Sequence, residues 1–268
     1  MILIFGANGY IGKAATKKLR FVSPQVIKYS NNKEIRKIYF PRIIIYLAKK
    51  NKKKYQFTNI KKLLNYYIIR NKNLKFIYLS SLSVYGNSSV PNTIHLNTKT
   101  NPMTSYGIDK LSEEKEIIEF SKLNKNFKYA IIRSPMIYSN HSDNQHKLLN
   151  FLLRNNFPLP LKISQNRRSF IYLENLLNFI LHIVKNNLFY NTFFLIGEKK
   201  NLSTESFIFQ IKKKYKSSSY VFSFNKYIFQ LILKIIGREN FFKKLFGSFQ
   251  INPTITFFKT NWRPKQNK

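Results

Sequence analysis

A short apolar run that breaks straight into three evenly spaced glycines constrains this chain more than any other feature. Met1-Ile2-Leu3-Ile4-Phe5 has the character of a buried strand, and Gly6-Ala7-Asn8-Gly9-Tyr10-Ile11-Gly12 follows it at once. Ile11 to Arg20 then reads as a helix, with Ile11, Ala14, Ala15 and Leu19 on one side. In a strand–turn–helix unit each glycine has a separate task. The first permits the tight turn, the second lets backbone approach a pyrophosphate, and the third lets helix pack close on strand. The helix end and its free N–H groups then hold the anion. An acidic residue is expected at the end of the next strand to hold an adenosine ribose. The stretch there reads Tyr29-Ser30-Asn31-Asn32-Lys33, with no carboxylate. Lys28, Lys33 or Arg36 could meet a 2′-phosphate and Asn31 a ribose hydroxyl, so NAD and NADP both stay open.

The pattern repeats downstream. Pro24 to Tyr29, Arg42 to Leu47, Leu74 to Ser80 and Tyr129 to Arg133 read as strands, the middle two as buried parallel ones. Ile60 to Arg70 and Tyr106 to Phe120 read as helices, the second with Ser112 and three glutamates on its outer face. Alternation of this kind predicts an α/β fold, a doubly wound parallel sheet covered on both sides. Beyond Asn140 the pattern loosens. Pro158-Leu159-Pro160 marks a turn or linker. Phe170 to Lys185 reads as a helix, Thr192 to Ile196 as a strand, and Ser203 as the N-cap of a helix through Lys214.

Composition removes several classes of function. The 268 residues contain no Cys, which excludes disulfides, thiolate metal sites and a cysteine nucleophile. No basic segment precedes the first apolar run and no uninterrupted apolar stretch reaches about 18 residues, so a cytoplasmic protein without a spanning helix is expected. Lys and Arg number 47 against 11 Asp and Glu, a net charge of +36. The lysines are scattered, with one dense cluster at Lys49-Lys50-Asn51-Lys52-Lys53-Lys54. No nucleic-acid motif accompanies them. The expectation is a solvated basic surface that attracts a phosphate-bearing ligand, with no specific nucleic acid. His95, His141, His146 and His182 share no metal-ligand spacing, and no metal site is expected. The basic amphipathic stretch from Tyr227 to Gly247 is read as cover for a core. Weak peripheral contact with an anionic membrane is its alternative.

A second constellation carries chemistry. Leu79-Ser80-Ser81-Leu82-Ser83 closes the strand begun at Leu74, where open α/β sheets place ligands. Tyr106 and Lys110 stand four apart and share a helix face. A phenol is a poor base at neutral pH, with an ordinary pKa of about 10. A neighbouring ammonium favours the phenolate, so the pair makes a usable general acid and base. A serine hydroxyl can bond the reacting oxygen.

These residues together resemble the extended short-chain dehydrogenase/reductase family, the NAD-dependent epimerase/dehydratases of nucleotide sugars. Gly6, Gly9 and Gly12 match its glycine loop, Ser81 its active-site serine, Tyr106 and Lys110 its Tyr-x-x-x-Lys pair, and Tyr46-Leu47-Ala48 its strand ending beside the cofactor. Arg133-Ser134-Pro135-Met136-Ile137-Tyr138 is similar to its Arg-x-Pro-x-Val-Tyr stretch. Arg168-Ser169-Phe170-Ile171-Tyr172 is similar to the segment whose arginine meets the sugar-nucleotide diphosphate, and Trp262-Arg263-Pro264 to a late Gly-Trp-x-Pro mark. The stretch between Tyr29 and Arg42 is shorter than the family's.

The resemblance implies a Rossmann-like sheet with a small C-terminal α+β substrate-binding cap. Residues 1–140, with a returning segment at about 165–200, would bind NAD or NADP, and 141–164 with 201–268 would form the cap. Cofactor contacts fall on Gly6, Gly9, Tyr10, Ile11, Gly12, Asn31, Ala48, Ser80, Tyr106, Lys110 and Pro135. Ser81, Tyr106 and Lys110 are the catalytic set, and Ser83, Arg168 and Gln250 meet the substrate. A narrower similarity, carried by Pro158-Leu159-Pro160, Asn166-Arg167-Arg168-Ser169 and Leu245-Phe246-Gly247-Ser248-Phe249-Gln250, points to a bacterial polysaccharide branch. Its members are UDP-glucose 4-epimerases or 4-keto reductases of UDP-N-acetyl sugars. The implied function is NAD(P)-dependent chemistry at C4 of a UDP-sugar for surface polysaccharide synthesis, in a protein that could be a homodimer. The alternatives are a 4-keto reductase and a non-catalytic dinucleotide-binding protein that associates with RNA.

Overall fold

The computed structural model describes residues 1–21, 26–29, 40–48, 60–69, 71, 73–86, 93–139, 147–162, 166–235, 237, 242 and 245–265. For 26–29 and 147–148 only the backbone is described. Asn31, Lys33, Arg36, His141, His146 and the lysine cluster at 49–54 lie outside these residues. So does the Lys28 side chain.

Six strands form one sheet in which every neighbouring pair is parallel. They are β1 (Ile2–Phe5), β2 (Val26–Tyr29), β3 (Ile43–Tyr46), β4 (Lys75–Ser81), β5 (Lys128–Ser134) and, late in the chain, a strand at Thr192–Leu195. The spatial order is β2-β1-β3-β4-β5 and then the Thr192 strand. β1 pairs with β2 on one side and β3 on the other, with Ile2 opposite both Val26 and Ile43. Among the described residues β2 is the edge.

Both faces of the sheet are covered, and the alternation of side chains along each strand shows how. Leu3, Phe5, Ile44, Phe76, Tyr78, Tyr129 and Ile131 point to one face, where they pack on α2 (Ile60–Ile68) and α3 (Ser105–Leu123). Ile2, Ile4, Ile45, Ile77, Leu79, Ala130 and Ile132 point to the other, where they meet α1 (Tyr10–Arg20) and a helix at Leu173–Lys185. Strands buried on both faces need apolar residues at every position, which is why they read as continuous β-branched and aromatic runs.

Beyond β5 the chain forms β6 (Met136–Tyr138), α4 (Lys147–Arg154), β7 (Phe170–Tyr172), α5 (Leu173–Lys185), β8 (Thr192–Leu195), α6 (Thr204–Tyr215), α7 (Lys226–Ile235) and α8 (Thr254–Thr260). β6 and β7 pair in parallel as a separate two-stranded sheet. The helix expected from Phe170 therefore begins three residues later. Phe170 to Tyr172 are extended because they pair with Met136 to Tyr138. Ser203 does cap α6, its side chain accepting from the Ser206 N–H. α4 and α6 enclose a further apolar cluster of Tyr138, Leu153, Leu159, Phe207, Ile208 and Ile211.

Two expectations about helix faces are corrected. Glu113 and Glu114 of α3 are 4% and 1% exposed, not on an outer face. Each turns toward the sheet because a partner waits there. Glu113 accepts from the Tyr78 hydroxyl, and Glu114 accepts from Ser80 and Arg133. In α7, Leu233 is the one buried residue, whereas Tyr227, Ile228, Leu231, Ile232 and Ile235 are exposed. Phe242, further along, is buried and stacks on Phe246.

Candidate active site

The C-terminal ends of β1, β3, β4 and β5 open on one side of the sheet, and a cavity of ≈ 630 Å³ lies there. Its size suits a small organic ligand, for which roughly 300–1,000 Å³ is usual. Each element delivers side chains to it for a local reason.

β1 ends in the glycine turn. Gly6 has φ +80°, and the Gly9 N–H bonds the Gly6 carbonyl at 3.0 Å. A methyl at Gly12 would lie 2.0 Å from the Gly6 oxygen and 2.6 Å from the Ala7 Cα. Only glycine lets α1 start this close to the strand it follows. Ile11, in the first turn of α1, lines the cavity, and so does Ala48 after β3. This cradle, which a Cβ would fill, is the geometry a dinucleotide's phosphates require. Tyr10 packs against the α1 side of the core rather than on the cavity. Asn31 lies outside the described residues.

β4 ends at Ser81, whose hydroxyl accepts from the Ser83 N–H at 3.2 Å and starts a single 3-10 turn, Leu82–Tyr85. That turn places Ser80, Ser81 and Ser83 on the cavity wall. α3 begins directly against it. The Thr104 hydroxyl caps the helix by accepting from the Gly107 N–H at 3.1 Å. At Gly107 a methyl would stand 2.4 Å from the Ser83 carbonyl oxygen. Contact between α3 and the serine turn is thus backbone to backbone, and it brings Tyr106 and Ser81 together on the cavity wall, where Ser81 favours the phenolate. Thr104 and Gly107 were not singled out from sequence, although a Thr just before a helical run is a capping signal.

Lys110, one turn along, also reaches the cavity and is 4% exposed. Its ammonium donates to the Leu79 carbonyl at 3.1 Å and lies 3.6 Å from Glu113. It stands 4.6 Å from the Tyr78 ring centroid and 6.0 Å from that of Tyr106. Burial pushes its pKa down, and Glu113 opposes that shift. The expectation that this ammonium draws the phenol's pKa down is corrected. Tyr106 is pushed up by burial, with Ser81's hydrogen bond pulling the other way and the Glu113 charge adding to the rise. The Glu113 carboxylate, 3.6 Å away, offsets part of the lysine's charge. Glu113 is thus a site residue that sequence reading missed.

β5 ends at Ser134, and Pro135, Met136 and Ile137 continue along the cavity. Arg133 holds this corner from behind, bonded to Glu114 at 2.7 and 3.1 Å and to the Tyr85 hydroxyl at 2.7 Å. Arg168 and Ser169 enter from the segment before β7. Arg168 donates to the Gly247 carbonyl at 2.8 Å, and burial lowers its pKa. No carboxylate among the described residues pairs with it. Gln250 is not brought to the cavity. Its amide oxygen is taken by Asn201 at 2.9 Å, and Phe249 lines the wall instead. His182 bonds the Thr260 carbonyl, and no cluster of metal ligands occurs among the described residues.

The structure thus gathers Ile11, Ala48, Ser80, Ser81, Ser83, Tyr106, Lys110, Pro135 and Arg168 around one cavity. A hydroxyl network backed by a buried cation, on a sheet edge next to a phosphate cradle, can move a proton to or from an alcohol. No helix among the described residues is long and apolar enough to cross a membrane.

Comparison with known proteins places this geometry. The sequence profile of the NAD dependent epimerase/dehydratase family matches residues 50–197, more than half of the chain. A curated UDP-glucose 4-epimerase of Vibrio cholerae is 24% identical over 195 residues, 72% of this chain. The alignment spans 59% of that relative's own length. A UDP-glucose 4-epimerase from Thermotoga maritima, solved with UDP-glucose, superposes with a TM-score of 0.74 at 16% identity, covering 99% of this chain and 94% of that one. The RMD protein of Pseudomonas aeruginosa, solved with NADPH, gives 0.73 at 14% identity, covering 100% and 95%. At these identities the two structures speak for the fold alone.

Proposed function

The chain belongs to the NAD-dependent epimerase/dehydratase family, and on that footing we propose that it catalyses hydride transfer at C4 of a UDP-linked sugar, as a 4-epimerase serving polysaccharide synthesis. The single observation that carries the reading is that Tyr106 and Ser81 share the wall of one cavity with Lys110 and Arg168. The glycine turn, Ile11, Ala48 and Pro135 would hold the dinucleotide. Bound NAD(P) supplies the hydride acceptor and donor.

The residues of the chain do the rest. The diphosphate of the sugar nucleotide would pair with Arg168, a planar fork suited to phosphate oxygens. With that end fixed, the C4 hydroxyl lies between Ser81 and Tyr106. Tyr106 takes the hydroxyl proton as C4 is oxidised and returns a proton when it is reduced. Ser81 stabilises the phenolate by hydrogen bonding, which opposes the effect of burial. Lys110, held by Glu113 and the Leu79 carbonyl, would set its ammonium toward the phenol and help hold the nicotinamide ribose when the dinucleotide binds. In this reading residues 1–140 with 165–200 carry the dinucleotide, and 141–164 with 201–268 cap the sugar. The Vibrio cholerae relative, named a UDP-glucose 4-epimerase, supports the choice of substrate class.

Purified protein is incubated with UDP-glucose or UDP-N-acetylglucosamine and NAD, and the C4 epimer is resolved by chromatography. Conversion that falls by about 10²–10⁴-fold in Tyr106→Phe is expected, since general acid–base catalysis contributes that much. Conversion unchanged in Tyr106→Phe would overturn the assignment.

A further inference from the structure

Away from the cavity, α7 presents a face that a water-soluble helix ordinarily hides. Asn225 starts this helix, its side-chain oxygen accepting from the Tyr227 and Ile228 N–H groups at 2.9 and 3.3 Å. At 100° per residue, Tyr227, Leu231, Ile235, Ile228 and Ile232 form one continuous stripe. All five are exposed, Tyr227 to 80%, Ile235 to 76% and Leu231 to 58%. Leu233, the buried residue, lies on the opposite side. The helix is amphipathic with its apolar face outward. Phe224 and Tyr220, just before it, are also exposed. Single exposed apolar residues are commonplace, but a contiguous stripe marks a contact surface.

Charge says what covers it. Residues 201–268 contain thirteen Lys or Arg and two Glu. α7 itself carries Lys226 and Lys234 and no acidic residue, and α6 ends in Lys212, Lys213 and Lys214. A second copy would bring another +36 against this one, so self-association through α7 works against repulsion. An exposed apolar stripe on a helix whose only charges are basic has the form of an interfacial helix on an anionic lipid surface, with the stripe below the headgroups.

We propose that α7 docks the protein on anionic membranes, lying flat with Tyr227, Leu231 and Ile235 inserted at the headgroup boundary. The contact is peripheral and leaves the sheet-edge cavity untouched, so it stands whether or not the sugar-nucleotide reading holds.

The test is flotation of the full chain with phosphatidylcholine vesicles and with 3:1 phosphatidylcholine–phosphatidylglycerol vesicles at about 0.1 M salt. Binding to the anionic vesicles at least tenfold above the neutral ones is expected. Leu231→Ser with Ile235→Ser should lose at least tenfold of that binding, with far-UV circular dichroism and melting unchanged because both side chains face solvent. Leu231→Lys separates insertion from attraction. It adds a positive charge yet should weaken binding, since a cation replaces an inserted leucine. Equal or stronger binding by Leu231→Lys overturns the proposal in favour of charge alone. Absence of vesicle binding overturns it too. So does a dimer by light scattering that Leu231→Ser with Ile235→Ser dissolves, which would make a second copy the occupant.

Discussion

Replacing Glu114 with Gln should destabilise this protein more than any exposed substitution, because it strands a buried guanidinium. Glu114 is 1% exposed and Arg133 5%. The two share hydrogen bonds of 2.7 and 3.1 Å, and Glu114 also accepts from Ser80. Glutamine keeps the shape and one accepting oxygen but turns an NH₂ toward the guanidinium. Arg133 cannot shed its proton to escape, since guanidinium stays charged under all working conditions. Its pKa is in fact raised, by Glu114 and the Tyr85 hydroxyl against the burial that would lower it. Breaking a buried pair from one side typically costs about 3–5 kcal/mol. For a chain of this size 1 kcal/mol moves the melting temperature by roughly 2–4 °C, so a fall of about 6–20 °C is expected. The stack of Arg133 on Phe193, 4.1 Å from the ring centroid, survives the change and keeps the loss within that range. The assay is thermal and urea unfolding of wild type, Glu114→Gln, and a double variant with Glu114→Leu and Arg133→Met. Removing both charges should recover much of the loss, though Ser80 and Tyr85 then lack their partners. A loss below about 1 kcal/mol in Glu114→Gln would refute the reasoning. So would a double variant no more stable than the single one.

Three further outcomes follow from the site. Gly107→Ala should lower kcat by about 10²-fold with little change in substrate affinity. A Cβ 2.4 Å from the Ser83 oxygen forces α3 outward and carries Tyr106 off Ser81; steady-state kinetics would show it. Gly12→Ala should abolish dinucleotide binding in a fluorescence titration, because the methyl falls 2.0 Å from the Gly6 oxygen and pushes α1 away from the turn. Ser81→Ala removes a hydrogen bond that lowers the Tyr106 pKa, so the phenol's pKa rises further. In the oxidative direction the phenolate is the active form, and the acidic limb of the pH–rate profile should move to higher pH. A limb that stays in place while the rate falls would show that Ser81 does not set the phenol's ionisation.

What could be read from sequence follows from how far apart the determining residues lie. The strands were legible because a parallel strand between two helical layers must be apolar at each position, as Ile43-Ile44-Ile45-Tyr46 is. The glycine turn was legible because its whole geometry sits within seven residues. Tyr106 and Lys110 were legible because one helical turn joins them. Errors arose where the partner comes from another element. The burial of Glu113 and Glu114 depends on Tyr78 and Ser80 in β4 and on Arg133 in β5. Within α3 alone they belong to an evenly polar run. Phe170 to Tyr172 looks like the first turn of an apolar helix until β6 pairs with it. Gln250 looks like a substrate ligand until Asn201, 49 positions earlier, takes its amide oxygen.

The consequence for chemistry is specific. The sequence places a lysine next to a tyrosine, and that pair alone predicts an acidified phenol. The fold adds burial of the phenol and a third charge, Glu113, 3.6 Å from the ammonium, and the phenol's pKa rises instead. A two-residue motif thus fixes which groups meet, while burial first, and the Glu113 carboxylate after it, favour the protonated phenol of Tyr106. Glu113→Gln should therefore lower the Tyr106 pKa, by removing a charge that raises it. The acidic limb of the oxidative profile would then move to lower pH, opposite to the shift in Ser81→Ala. Shifts in the same direction in the two variants would show that one of the two groups does not act on the phenol as the geometry implies.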